Sequence, residues 1–435
     1  MNKIVFLLAF TFISITANSQ NIYFPPVTGS TWDTLSSASL GWCSNEIDSL
    51  YDFLQQENTK SFLVLKDGKI VLEKYFGTFT TDSLWYWASA GKTITAFLVG
   101  QAQENGFLSV NDTTSKYLGA GWTNCTVTQE EKIKIWNQLT MTSGLDDGVT
   151  DNHCTLDTCL NYLADAGTRW AYHNAPYTLL EGVLTNATGQ NINVYTQSAL
   201  KTPTGMTGFW LFSGYDNVYY SKARSMARFG LLIQNNGIWN SDTLLHDSAY
   251  LHQMINTSQA LNNSYGYLWW LNGKSSFMIP TLQNVFPGSY APDAPSDMIA
   301  GLGKNGQILS ISPGLGLVVV RMGNQPNSPL ADVPTWFCNQ IWQKLNSVMC
   351  NVSSTSEVLP SSKTVYAFPN PASTSFSIAG LKNESAEITI SNSMGIPMMQ
   401  FHNSTNIDIS KLIDGIYIVE IRQEASFIRL KLVKY

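Results

Sequence analysis

The change of character after Cys350 constrains this chain most. Up to that point, helical and strand-like apolar patterns alternate over several hundred residues. From Asn351 to Lys363 the chain is Ser-, Thr- and Pro-containing and has no hydrophobic period, as a linker does. Only short strand patterns follow. With 435 residues, the chain is too long for one ordinary domain and suits two. The expected division is a large unit over 30–347, a linker over 351–364 and a small unit over 365–435.

The large unit reads as α+β. Ile47 to Gln56 has helical apolar spacing. Phe62 to Phe76 reads as a hairpin around a Lys66-Asp67-Gly68-Lys69 turn. Lys92 to Asn105 is an apolar helix stopped by Asn105-Gly106, Tyr177 to Thr188 a helix stopped by Gly189, and Ser221 to Asn235 another ended by Asn236-Gly237. Gly306 to Ser312 and Leu315 to Met322 read as strands around Pro313-Gly314, and Ala331 to Asn346 as a closing helix. This order implies one antiparallel sheet whose first and last strands are far apart in sequence, with a largely helical insertion between them. The small unit reads as an all-β sandwich with strands at Phe376–Ile378, Glu387–Ser391, Ile407–Ile409, Tyr417–Arg422 and Phe427–Val433.

The N-terminus reads as a secretory signal over 1–19. Lys3 precedes an apolar run from Ile4 to Ile15, and Ala17-Asn18-Ser19 offers a small-x-small cleavage site. That run is too short to span a bilayer, and no other segment reads as an integral membrane span. Six cysteines suit an oxidising compartment. Cys154 with Cys159 and Cys338 with Cys350 are the pairs nearest in sequence, but spacing does not fix connectivity. With five scattered His and no Cys-x-x-Cys, no metal site is expected. A net charge of −6 argues against a nucleic-acid partner.

The chemistry points to Ser89-Ala90-Gly91-Lys92. A serine at a helix start and a lysine at i+3 lie on one face, within reach of each other. The helix N-terminus favours an oxyanion there, and a desolvated lysine can take the serine's proton. A serine N-cap is also an ordinary structural device, so the downstream partners matter. Tyr172 and Asn174, two apart in an extended or turning segment, can project into one cleft. The tyrosine would shuttle protons and the asparagine would orient the lysine or bind a substrate carbonyl. His173 between them is expected to point away or pack.

Ser89-x-x-Lys92 followed by Tyr172-x-Asn174 resembles the serine β-lactamase, penicillin-binding-protein and esterase superfamily. The likeness is to its class C branch, and within it to the esterase and 6-aminohexanoate-oligomer-hydrolase relatives. Phe62–Tyr75, Leu139–Leu145, Ala227–Leu231 and Tyr265–Trp270 extend the match over about residues 40–347. The resemblance implies a β-lactamase/transpeptidase-like domain: an antiparallel sheet flanked by helices, plus a helical subdomain. It implies Ser89 as acylated nucleophile, Lys92 and Tyr172 as proton carriers, and no cofactor. The family's Lys-Thr-Gly strand is missing in its usual form. Ala300 to Gln307 resembles the Gly-x-x-Gly-Gln version, with Lys304-Asn305-Gly306 at a hairpin turn. By resemblance, a backbone N–H near Gly301 or Leu302 would complete an oxyanion hole with that of Ser89. Without a cation in the Lys-Thr-Gly place, a small neutral ester or amide is a better substrate than a β-lactam. Trp85, Trp87, Tyr220, Trp269 and Trp270 are candidates for an apolar acyl pocket, with Trp269 the substrate-binding residue singled out.

Phe368–Ser373, Ile407–Tyr417 and Lys431–Tyr435 resemble the C-terminal sorting domain of type IX secretion cargo. This implies the type IX machinery as partner, and export through the periplasm and outer membrane to the cell surface or medium. The expected function is acyl transfer to water. Two readings compete with it: a true class C-like β-lactamase or D-amino-acid peptidase on the same residues, and a non-catalytic peptidoglycan- or ligand-binding protein on the same scaffold.

Overall fold

A computed structural model describes residues 22–327 and 333–350, and in the C-terminal part 366–368, 372–379, 386–392, 397–402, 406–423 and 426–434. The expected leader over 1–19 and linker over 351–364 lie outside the described residues. The chain divides into two compact units, Met1–Val352 and Ser353–Tyr435.

The first unit opens with helix α1 (Ser44–Gln56) and the hairpin β1 (Thr59–Lys66) and β2 (Lys69–Tyr75). The hairpin turn needs positive φ at both Asp67 (49°) and Gly68 (84°), and the Asp-Gly pair supplies it. The short strand β3 (Trp85–Tyr86) leads through a 3-10 turn at Ala88–Gly91 into helix α2 (Lys92–Glu104). Every residue of α2 from Lys92 to Ala102 is buried, as expected of a helix that is apolar almost all round. The helical insertion includes α3 (Asn174–Thr178) and α4 (Leu180–Thr188). The sequence suggests one helix from Tyr177; instead two short ones begin at Asn174, because Pro176 is tolerated within a first turn. A second hairpin, β4 (Phe209–Ser213) and β5 (Asp216–Ser221), pairs with β3 and precedes helix α5 (Ala223–Gln234).

Strands β6 (Trp270–Leu271), β7 (Ile299–Gly303), β8 (Gln307–Ser312) and β9 (Leu317–Gly323) complete a six-stranded sheet ordered β2-β1-β9-β8-β7-β6. β1 and β9 pair antiparallel, with Phe62 opposite Arg321. First and last strands therefore meet, as the element order implies. Helix α6 (Thr335–Val348) closes the unit. Alternation along β8 separates the two faces: Leu309 faces α5, while Ser310 accepts the Trp342 indole N–H from α6 at 3.2 Å. Phe53 of α1 packs on Phe337 of α6, so these two helices share the second face.

Arg321 is fully buried on β9 and ties the sheet to the turn after β7. Its guanidinium donates to the carbonyls of Asn305 (2.8 Å), Gly306 (3.0 Å), Glu57 (2.6 Å) and Asn324 (3.0 Å), and to Thr59 Oγ1 (3.1 Å). Burial lowers its pKa to about 9, so it stays charged and holds five oxygens at one corner.

Cys154 and Cys159 form a disulfide. Cys338 and Cys350 do not: Cys350 bonds Cys43, and Cys338 is free in the core. Twelve residues of rise along a helix separate Cys338 and Cys350 by about 18 Å, far beyond disulfide reach. Among the described residues no helix is long and apolar enough to cross a membrane.

The second unit has a three-stranded sheet, β10 (Tyr366–Phe368), β11 (Ser375–Ala379) and β14 (Asn406–Asp408). Its four-stranded sheet runs β13 (Pro397–His402), β12 (Glu387–Asn392), β15 (Gly415–Gln423), β16 (Ser426–Lys434). Phe376, Ile388, Ile390, Ile407, Val419 and Ile421 lie in one apolar core. β10 and β13 go beyond the sequence reading. β13 is an edge strand that opens with Pro397 and buries little, so it carries no apolar alternation to read.

Candidate active site

Ser89 lies in the 3-10 turn rather than on α2 itself. Its neighbour Ala88 has φ 47°, a left-handed conformation that costs a non-glycine residue about 1–2 kcal/mol. Such strain is tolerated only where the surroundings enforce it, and here it turns the chain from β3 so that half-buried Ser89 precedes a wholly buried helix.

Lys92 is the first residue of α2 and is fully buried. Its Nζ stands 3.0 Å from Ser89 Oγ and 2.9 Å from Asn174 Oδ1. The Tyr177 ring lies 4.2 Å from Nζ and the Tyr172 ring 5.3 Å. Desolvation lowers the lysine pKa to about 7, opposed only by the Asp216 carboxylate, which raises it. Near neutral pH a large share of Lys92 is therefore a free amine, able to accept a hydrogen bond from the serine hydroxyl.

Tyr172 is buried and held by aromatic neighbours. Trp270 stacks on it with ring centres 6.0 Å apart, Tyr265 meets it edge-on at 6.3 Å, and Trp170 lies tilted at 6.4 Å. It reaches the wall of a cleft of about 520 Å³ lined also by Asp146, Asp147, Asp151, His153 and Arg169. Arg169 pairs with Asp147 at 2.6 Å, so the remaining carboxylates leave this wall acidic. Asn174 begins α3 instead of continuing an extended segment, and this turns its amide inward onto Lys92. His173 is buried against the Leu145–Asp147 turn. Burial pulls its pKa down to about 4, so it is neutral, and none of its described hydrogen bonds reaches Ser89 or Lys92.

Strand β7 runs along the Ala88–Gly91 turn. Gly303 makes the closest approach: a Cβ there would overlap the Trp87 carbonyl oxygen and sit 3.0 Å from the Ala90 nitrogen. Gly301 is less tight, 3.1 Å from Thr93 Cγ2 and 3.2 Å from the Ala90 oxygen. Asn272 N–H donates to the Met298 carbonyl, so even-numbered residues of this strand direct their backbone groups to the outer edge. β6 ends opposite Ala300, which leaves the Leu302 N–H on open edge, while Gly301 faces β8 opposite Leu309. Lys304-Asn305-Gly306 forms the turn after β7, with Lys304 exposed and Asn305 donating to Tyr86 Oη at 2.8 Å.

Trp269 does not line the cleft. It is fully buried and stacked on Phe229 at 6.1 Å, within the layer between sheet and α5. Trp87 and Trp270 are buried as well. Their apolar surface is worth more in the core than in an open pocket. Trp85 and Tyr220 are half-buried and, with Tyr86 and Phe209, form the accessible aromatic ledge.

Asn152, His153 and Asp216 are brought into this site, yet no sequence pattern marks them. Asn174 Nδ2 lies 3.2 Å from both Asn152 Oδ1 and His153 Nε2, and His153 Nδ1 lies 2.7 Å from Asp216 Oδ1. They come from a loop and a hairpin that meet only in the folded chain.

A serine in the turn that leads into a buried helix, a dry lysine three residues on and a flanking antiparallel sheet define a β-lactamase/transpeptidase-like protein. The chain belongs to the Beta-lactamase family, which residues 54–337 match. Residues 366–435 match the secretion system C-terminal sorting domain, a module that marks the chain for export. A putative D-alanyl-D-alanine carboxypeptidase of Salmonella paratyphi B is 22% identical over 418 residues, covering 75% of this chain and 92% of that protein. Among solved structures, a putative beta-lactamase from Bacteroides dorei has a TM-score of 0.55 at 17% identity, covering 71% of this chain and 99% of that one. A putative 6-aminohexanoate-dimer hydrolase from Bacillus anthracis also has a TM-score of 0.55 at 17% identity, covering 75% and 89%. At these identities the structural likeness is one of fold.

Proposed function

We propose that the protein is a secreted serine hydrolase that transfers the acyl group of an ester or amide to water through Ser89. The observation that carries this reading is the fully buried Lys92 amine, 3.0 Å from Ser89 Oγ. In the first half-reaction the Ser89 proton passes to Lys92 Nζ as Oγ bonds to the substrate carbonyl carbon. The oxyanion is held by the backbone N–H groups of Ser89 and Leu302, with Gly301 and Gly303 giving the strand room. Lys92 then returns the proton to the leaving group as its bond to the acyl carbon breaks. In the second half-reaction water attacks the acyl carbon, gives its proton to the Lys92–Tyr172 pair, and Ser89 leaves protonated. Asn174 holds the lysine through its amide oxygen. This chemistry draws on the chain's own residues.

A neutral or cationic substrate fits better than an anionic one. The wall beside Tyr172 carries Asp146, Asp147 and Asp151 against Arg169 alone, and Lys304 stands exposed at its turn. Similar proteins include a putative D-alanyl-D-alanine carboxypeptidase and a putative 6-aminohexanoate-dimer hydrolase, which keeps the amide class within this reading. Export follows from the C-terminal module: after loss of a leader over 1–19, the type IX machinery would carry the chain from the periplasm across the outer membrane.

The test is covalent labelling. A fluorophosphonate probe should add once, at Ser89, as read by peptide mass spectrometry, and Ser89→Ala should abolish the adduct. An unlabelled wild-type protein that also leaves short-chain nitrophenyl esters intact would favour the non-catalytic binding reading.

A further inference from the structure

The Asn174 amide has one orientation that satisfies all its neighbours, and His153 selects it. Oδ1 faces Lys92 Nζ at 2.9 Å. Nδ2 then faces Asn152 Oδ1 and His153 Nε2, both at 3.2 Å. An amide nitrogen only donates, so Nε2 must carry its lone pair toward Asn174. The imidazole proton therefore sits on Nδ1 and points at Asp216 Oδ1, 2.7 Å away. Asp216 fixes the tautomer, the tautomer fixes the amide, and the amide oxygen fixes Lys92.

The opposite arrangement fails at two places. Turned over, Asn174 would direct its NH2 group at the Lys92 lone pair that the Ser89 hydroxyl needs, and would press its oxygen against Asn152 Oδ1. Asn174 is buried, so neither mismatch is relieved by water. Burial differs along the chain of contacts: Lys92 and Asn174 are enclosed, while the His153 and Asp216 side chains remain 43% and 35% exposed. The charged groups around this array are Asp216 from β5, Asp151 on the loop itself, whose carboxylate accepts the His153 backbone N–H at 3.0 Å, and Glu181 from α4, which accepts from Asn217 at 2.6 Å. Arg169, which lines the same cleft as His153, is engaged by Asp147.

We propose that His153, oriented by Asp216, is a positioning residue that keeps the oxygen of the Asn174 amide on Lys92 while Ser89 is acylated and deacylated. This rests on the reading of Ser89 as nucleophile. His153 itself touches neither Ser89 nor Lys92, and acts only through Asn174.

The experiment compares wild type, His153→Ala, His153→Gln and Asp216→Asn as full-length proteins. Two quantities are read: the fluorophosphonate inactivation rate at Ser89 between pH 5 and 9, and the 15N–1H signal of the Asn174 side-chain amide, assigned by its loss in Asn174→Asp. His153→Ala should slow inactivation about tenfold and move its pH midpoint, a loss of the size expected from a displaced proton acceptor. It should also shift the Asn174 NH2 resonances and speed their exchange. His153→Gln, which can offer a carbonyl oxygen in place of Nε2, should recover most of the rate. Asp216→Asn should fall between the two. An unchanged rate and midpoint in His153→Ala, with wild type labelled at Ser89, overturns the positioning role and leaves the nucleophile standing. An unchanged Asn174 signal overturns it whether or not Ser89 is labelled. Absence of labelling in wild type, with the Asn174 signal moving as expected, strikes the nucleophile instead and keeps the amide's dependence on His153. Matching melting temperatures for His153→Gln and wild type guard against a folding defect.

Discussion

Two walls meet at the Lys92–Asn174 contact, and they are built on opposite principles. One wall consists of the Ala88–Gly91 turn, the head of α2 and strand β7. It is dry, glycine-fitted and backed by the six-stranded sheet, with Arg321 clamping the corner behind it. The second wall is the loop from Asp146 to His153 with Arg169, which lines the cleft that Tyr172 reaches. It is polar, partly exposed and stapled by the Cys154–Cys159 disulfide just beyond. Dryness on the first wall makes a lysine into a base, because an unpaired ammonium is costly away from water. Exposure on the second lets charges attract or repel a substrate without distorting the fold. On the proposed function, reactivity and selection are carried by separate segments, and each can be perturbed alone.

Removing the base breaks the comparison most severely. Lys92→Met keeps the length and apolar stem but loses the amine, and kcat/KM toward a short-chain ester should fall about 10³-fold. Retention of more than a tenth of the activity would mean that Tyr172 or another group takes the serine's proton unaided. Gly303→Ala should come next. A methyl there meets the Trp87 carbonyl, so either β7 or the serine turn must move. Moving the oxyanion donors by a fraction of an ångström should cost about 10²-fold in kcat, with KM little changed. Gly301→Ala, whose methyl would sit 3.1 Å from a Thr93 side chain, is the milder neighbour and should lose far less. Equal losses in both would show that the strand as a whole, and not its close approach at Gly303, is what matters.

The pH dependence of the first wall is smaller and has a definite sign. The Lys92 pKa is lowered to about 7, and in the proposed mechanism the reactive form is the neutral one. Activity should thus rise with pH through 7 and level off above it. Between pH 8 and pH 6 the free-amine fraction, and with it kcat/KM, should drop about tenfold. A flat profile over this interval would place the lysine's titration elsewhere.

Much of the first wall is legible in the sequence and little of the second. Ser89 and Lys92 are one helical turn apart, so local spacing brings them together. Tyr172 and Asn174 sit two apart, again a short-range pattern, but their pairing with Lys92 across 82 residues is read from the family resemblance and not from spacing. The sheet follows from apolar runs at β1, β8 and β9, which are buried on both faces. By contrast, His153 and Asp216 meet across 63 residues, and Cys43 and Cys350 across 307. Such contacts are decided by how elements pack, and neither spacing nor composition encodes them. Trp269 illustrates the converse: an aromatic residue beside a site reads equally well as pocket or core, and only its 0% exposure decides. The glycines of β7 show a third case. Their presence announces a close approach, but which glycine meets the serine turn depends on how the strand's parity falls against the 3-10 turn at Ala88–Gly91.

The smallest expected effect tests the second wall alone. Asp146→Asn removes one negative charge, while the new amide oxygen can still accept the Gly148 N–H that Asp146 now accepts at 2.9 Å. The loop should keep its shape and the buried wall should be untouched, so activity toward a neutral ester should be unchanged. Toward an ester carrying a quaternary ammonium, kcat/KM should fall about twofold at low ionic strength. The difference should vanish near 0.5 M salt, where screening shortens the reach of a single surface charge to a few ångströms. If the neutral ester suffers equally, Asp146 serves the loop's fold, and the acidic wall has no part in choosing the substrate. If only the cationic ester responds, and only at low salt, selection resides in a charged surface that leaves the dry chemistry behind it intact.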